Sequence, residues 1–193
     1  MSWNRGYMLE NVSFRMGSYR LGPDNATLAV RTERAGAAAK AGHDLVIHVT
    51  AWEALLEVED DPGGTSMQLT ADAESLRVIE GTGGMQALGD DDVASIHQTI
   101  DEEVLRRQEI RFRSTAVEAD GDTLRVRGDL TLAGKTQPFE FDLASGEGGA
   151  VSGTAVVTQT AFGMKPYSAL FGALKVRDDV QVVLEGHLQP QSR

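Results

Sequence analysis

An all-β fold, an antiparallel sandwich or barrel carrying one amphipathic helix, is what this sequence predicts. Three observations carry the prediction. From Tyr19 onward apolar residues recur at every second position, the period of a strand with one buried face. Clusters of Gly, Pro, Asp and Asn interrupt that period at 22–25, 60–64, 81–84, 119–122, 133–135 and 145–149. One segment, 92–108, changes to the helical period. Short strands between regularly spaced turns make a sandwich or a barrel. Clean alternation favours antiparallel pairing with one wet face. Closure into a barrel removes exposed edges and leaves room for a ligand cavity.

The elements follow in order. Residues 1–17 read as an arm or covering segment, and 18–190 as one barrel domain. Leu28 and Val30 alternate through 27–32. The stretch 45–58 has the length of one bent strand or two short ones. Met67, Leu69, Ala71 and Ala73 share one side of a strand over 66–76. In 92–108, Val93, Ile96, Ile100, Val104 and Leu105 lie at helical spacing. Asp90 to Asp92 suit the positive end of that helix, and Arg106 and Arg107 the negative end. The helix packs on the barrel or closes one end. Further strands place Ile110 and Phe112, then Leu130 and Leu132, then Phe139 and Phe141, then Val180, Val182 and Leu184 on inward faces. The segments 151–160 and 176–188 complete the set.

Composition excludes several functions. With 193 residues and 41% hydrophobic content the chain suits a single domain with a sizeable core. A net charge of -11 without a basic stripe argues against nucleic acid. The same sign argues against adsorption to an anionic membrane. No apolar run approaches a membrane span or a secretion signal, so a cytoplasmic location is expected. With no cysteine, thiol catalysis, disulfides and iron–sulfur clusters are excluded.

The stretch 41–59, AGHDLVIHVTAWEALLEVE, gathers reactive residue types. Strand geometry separates them. His43 and Asp44 are neighbours and face opposite ways. Asp44 and His48 share a face but stand about 13 Å apart along the strand. No histidines have metal-ligand spacing, no Gly-x-Ser-x-Gly elbow occurs, and the glycines at 81–84 read as a turn rather than a phosphate loop. His43 and Asp44 are expected at a rim. Trp52, Ala54 and Leu56 share a wall with Val46 if no bulge resets the register.

Several segments resemble the YceI-like family. GDLTLAGKTQPFEFDL (128–143) is similar to its glycine–leucine–threonine hairpin, and 109–130 to the strand pair before it. TQTAFGMKPYSALFGALKVRDDVQVVLEGHL (158–188) is similar to its closing segment, and 18–32 to its opening strand. The chain departs from the family where a His-Ser pair is typical, having Asn25-Ala26 or Ala26-Thr27, and AGHDL resembles a variant subgroup. The resemblance implies an antiparallel, extended lipocalin-like barrel of about eight strands with a long apolar pore. It implies a non-enzymatic binding or carrier protein for a long isoprenoid- or quinone-like lipid, with no other cofactor. It further implies a link to stress responses and a homodimer.

On that reading the ligand-binding residues are Phe112, Leu130, Leu132, Phe139, Phe141 and Val182 along the pore. Phe162, Met164, Tyr167 and Phe171 form a flap, and His43 and Asp44 lie near a polar head group. Read as residues alone, the inward set favours plain core over ligand wall, and the flap serves equally as a long connection with its own small cluster. Two alternatives stay open: an enzyme with His43 or His48 as general base at the barrel mouth, and a stress-related interaction module.

Overall fold

The computed structural model of the chain describes residues 14–60 and 62–190. Its strands are β1 (Gly17–Leu21), β2 (Ala26–Thr32), β3 (Arg34–Ala35), β4 (His43–Val49), β5 (Trp52–Val58), β6 (Ser66–Ala71), β7 (Leu76–Gly83) and β8 (Ile110–Asp120). They continue with β9 (Thr123–Leu132), β10 (Lys135–Ser145), β11 (Ala150–Thr158), β12 (Ser168–Ala169), β13 (Leu174–Val176), β14 (Asp179–His187) and β15 (Gln189–Pro190). An α-helix, α1 (Asp90–Thr99), runs directly into a π-type turn at Ile100–Val104. Of the segment read as an arm, residues 1–13 lie outside the described residues; Phe14 is buried and Gly17 opens β1.

Twelve strands form one antiparallel sheet in the order β15-β1-β5-β6-β8-β9-β10-β11-β14-β2-β4-β7, and β12, β13 and β3 form a second, small one. This corrects the expected count of about eight strands and the expected closure. Among the described residues no ladder joins the end strands β15 and β7, so the sheet curls around its core without sealing. The reason lies in two breaks. At Thr50-Ala51 the stretch 45–58 divides: β4 pairs with β2 and β7, whereas β5 pairs with β1 and β6. A short 3₁₀ turn at Ala73–Ser75 divides the 66–76 strand from β7 in the same way. Trp52, Ala54 and Leu56 therefore do not share a wall with Val46, which sits on a different strand.

Local chemistry explains the pairings. In the β9–β10 hairpin both turn residues, Ala133 and Gly134, have positive φ (49° and 78°), the two-residue turn whose twist matches its strands. On the outer face Arg127 bridges strands by donating to Glu118 and Glu140. Glu118 first, then Glu140, holds its guanidinium above the ordinary pKa.

The helix answers the edge problem. β7 ends the sheet, and an unpaired edge strand invites pairing with another chain. The Val78 N–H donates to His97 Nε2 at 2.9 Å, so the helix caps the edge with a side chain. The same helix begins with Asp92 Oδ2 accepting from Gly89 N, and Asp90, Asp91 and Asp92 fill its first turn as the sequence predicted. A His97→Leu variant leaves the Val78 N–H without its acceptor. It should lower unfolding free energy by about 1–3 kcal/mol, read as a lower urea midpoint. An unchanged midpoint would show that water replaces the imidazole at no cost.

Candidate functional site

The inner face of the curled sheet does not fill itself. Leu28, Leu143, Val126, Leu184 and Met67 are buried. Between them Val30, Leu69, Ile110, Phe139, Phe141, Ala155 and Val182 point inward too, yet remain only half-buried. Apolar side chains on an inner face that still have free surface mark an unfilled space. A cavity of about 640 Å³ occupies it, lined by all seven of those residues. That volume lies within the ~300–1,000 Å³ of ligand pockets. It exceeds by several-fold the ~150 Å³ of a void left by one deleted side chain.

The wall draws on most of the sheet. Leu28, Val30 and Thr32 come from β2, Leu45, Ile47 and Val49 from β4, and Met67, Leu69 and Ala71 from β6. Ile110 and Phe112 come from β8, Leu130 and Leu132 from β9, and Val180, Val182 and Leu184 from β14. Phe112 stands edge-on to Phe141 at 5.2 Å and to Phe139 at 6.5 Å, a rigid aromatic corner. Ile96, Ile100, Val104 and Leu105 of the helix and its following turn close the gap that the sheet leaves.

The nine inward residues expected from alternation, Ile110, Phe112, Leu130, Leu132, Phe139, Phe141, Val180, Val182 and Leu184, all lie on this wall. The segment expected as a flap divides. Phe162 is buried outside the cavity lining, Met164 is buried and lines it, and Tyr167 lines it while half-open to solvent. Phe171 is fully exposed and does not line it. The β2 set, the β4 set, Leu69 and Ala155 went unassigned from sequence. Their alternation is visible at 28–32 and 45–49, but only the sheet order shows which phase points inward.

His43 and Asp44 part company as strand geometry requires. His43 shares the inward phase of Leu45, Ile47 and Val49 and lines the cavity; Asp44 and His48 take the other phase and do not. His43 Nε2 lies 2.8 Å from the Gln86 carbonyl and so donates to it, tying the loop after β7 across the start of β4. Asp44 Oδ1 accepts from the Arg34 N–H, and Arg34 Nη1 donates to the carbonyls of Gly42 and Thr82. The glycines at the end of β7 make this clasp possible. A Cβ on Gly83 would meet the Arg34 guanidinium, and one on Gly84 the His43 ring. Every polar contact described for the pair holds the rim together. The Gln86 carbonyl fixes the His43 ring and its tautomer, and no carboxylate among the described residues hydrogen-bonds to it. No group of three or more His, Asp or Glu able to hold a metal occurs among the described residues.

The mostly apolar wall carries Asp92, Ser95 and Thr99 of α1, Thr154 of β11 and Gln159, and a further polar set gathers beside the β3–β13 pair. Thr32, Arg34, His43, Gln86, Tyr167 and Lys175 lie where the β3–β13 pair and the loop after β7 meet the opening. The Thr32 hydroxyl is buried with no hydrogen-bond partner among the described residues. The arrangement is a mostly apolar chamber with a polar mouth. No helix among the described residues is long and apolar enough to cross a membrane.

Comparison with known proteins places this architecture. The model of the YceI-like domain matches residues 19–188. Among solved structures the chain is similar to BcnA of Burkholderia cenocepacia, with a TM-score of 0.60 and 17% identity, covering 84% of this chain and 94% of that one. It is similar to a polyisoprenoid binding domain from Saccharophagus degradans implicated in plant cell wall breakdown, with a TM-score of 0.55 and 8% identity, covering 92% and 100%. It is also similar to the YCEI protein of Campylobacter jejuni, with a TM-score of 0.51 and 13% identity, covering 76% and 85%. No curated protein matches the chain. At these identities the structural likenesses establish the fold.

Proposed function

Because the chain belongs to the YceI-like family, we propose that it is a non-enzymatic binding protein holding one long apolar molecule of isoprenoid or quinone type in its chamber. The observation that carries this reading is the unfilled, aromatic-cornered cavity of about 640 Å³. Such a space binds by burying apolar area, at about 25 cal/mol per Å² before ordering costs. It places few hydrogen-bonding demands on its occupant, which suits an unbranched or methyl-branched chain. The polar mouth, with Thr32, Arg34 and Tyr167, suits a head group carrying oxygen. The polyisoprenoid binding domain of Saccharophagus degradans, which shares the fold, agrees with this ligand class.

The test is extraction of the purified protein into organic solvent followed by mass spectrometry. The expected result is one apolar compound in near-stoichiometric amount. An extract with no such compound, together with no uptake of a polyprenol offered in detergent, would overturn the reading.

A further inference from the structure

Four of the seven large apolar side chains exposed among the described residues lie around the cavity mouth: Met85 at 83%, Tyr167 at 46%, Leu170 at 58% and Phe171 at 113%. Leu170 and Phe171 form the tip between β12 and β13. Both have positive φ, 51° and 55°, a region that non-glycine residues avoid. Two consecutive residues thus adopt an unfavourable backbone to hold apolar side chains in water, where they pack on nothing. An isolated domain gains nothing from either feature; a surface receiving the tip gains from both.

Charge says what kind of surface. Three segments build the mouth: 34–43, 81–89 and 161–176. They are stitched together by the Ala38 N–H donating to the Ala173 carbonyl and by the His43–Gln86 contact. Together they contain Arg34, Lys40, Lys165 and Lys175 and no Asp or Glu; all 29 acidic residues of the chain lie elsewhere. Of the acids that flank them, Asp44 accepts from the Arg34 backbone, Glu33 pairs with Arg177, and Asp178 accepts from Thr160, while the exposed Glu80 and Asp90 to Asp92 adjoin 81–89, Asp92 lining the cavity. The net charge of -11 is therefore unevenly spread: the two segments joined at the tip, 34–43 and 161–176, carry Arg34, Lys40, Lys165 and Lys175 and no acid, whereas four acids border 81–89. Net charge alone does not decide adsorption, because screening lets a membrane sense only the charges within about a Debye length of it.

We propose that this face docks on an anionic lipid bilayer, with Leu170 and Phe171 inserted at the headgroup–acyl boundary and the cavity mouth set against the lipid. Apolar insertion and lysine attraction are the two contributions that hold peripheral proteins on bilayers. Docking there would put the mouth of the chamber within reach of membrane-dissolved molecules. The docking itself stands on the exposed face, whatever the cavity holds.

The experiment is flotation of the full chain with vesicles of phosphatidylcholine alone and of phosphatidylcholine mixed with phosphatidylglycerol. The wild type should float with the mixed vesicles, less with the neutral ones, and less as salt rises. The L170S/F171S double variant, whose altered positions do not line the cavity, should lose flotation about tenfold or more while its organic extract stays that of the wild type. A Lys40→Glu/Lys165→Glu variant should lose the preference for anionic vesicles. Wild-type protein that floats with neither vesicle overturns the proposal, as does a tip variant that floats unchanged. A concentration-dependent dimer that vanishes in the tip variant, without flotation by the wild type, assigns the face to a second copy instead. Flotation by a protein whose extract is empty upholds the docking face and falls on the cavity reading alone.

Discussion

An Ala155→Trp variant should lose its apolar occupant while folding as stably as the wild type. Ala155 on β11 stands opposite Val182, which stands opposite Val30, and this row crosses the middle of the chamber wall. All three are half-buried, so the space before Ala155 is open rather than packed. An indole there occupies the path of a bound chain. Losing about 100 Å² of ligand contact at ~25 cal/mol per Å² costs about 2.5 kcal/mol. That is about a 70-fold loss of affinity. Overpacking a filled core would instead cost stability, about 1–3 kcal/mol. The two readings of the inward residues thus separate in one variant. Extract mass spectrometry should show the compound gone while the urea midpoint moves by no more than the equivalent of about 1 kcal/mol. Full occupancy in the variant would place the ligand outside this chamber. A large fall in midpoint would show that position 155 belongs to packed core.

The sequence carried the period of the strands because half-buried strands must alternate, and residues 110–114, 124–132 and 139–143 do so without interruption. It carried the helix because Ile96, Ile100 and Val104 recur on one stripe. It did not carry the strand order. Whether 45–58 is one strand or two depends on where each half finds a partner, and those partners, β2 and β7 against β1 and β6, are distant in sequence. It could not decide between core and ligand wall. Phe112 and Phe139 carry the same apolar alternation, yet one is packed and the other still has free surface. That difference arises from how tightly the whole sheet curls. The His43-Asp44 pair was legible as a rim, since neighbours on a strand face opposite ways. Its partners were not, because Arg34 reaches it only through the β2–β4 ladder and Thr82 and Gln86 only through the β4–β7 ladder. The exposed tip was the least legible part. Leu170 and Phe171 look like any apolar pair in a segment rich in Gly, Ala and aromatics, and only their backbone conformation turns them outward.

A Gly128→Ala variant should be markedly less stable, and the reason lies beneath the aromatic corner of the chamber. Gly128 lies on β9 between Ser114 of β8 and Phe139 of β10, beside the bulge at Ser114/Ala116. A Cβ there would fall 2.2 Å from the Arg113 carbonyl oxygen and 2.7 Å from Phe112 Cζ. The first neighbour is backbone held in a ladder and cannot swing aside. The second is a ring already wedged against Phe141. Glycine normally weakens a strand, and replacing it at an unstrained site stabilises by about 0.4–1 kcal/mol through the unfolded chain. Overpacking here costs about 1–3 kcal/mol, and a carbonyl contact this close lies at the upper end. The steric cost wins, so the net change is a loss of about 2 kcal/mol, read from the urea midpoint at unchanged slope. The Phe112 ring, pushed toward the cavity, should also narrow the chamber, so the organic extract of the variant should carry less of the apolar compound. An unchanged or raised midpoint would mean that β8 and β9 part easily at the bulge. The glycine of the 128–143 hairpin would then owe nothing to the close approach of Phe112 and the neighbouring backbone.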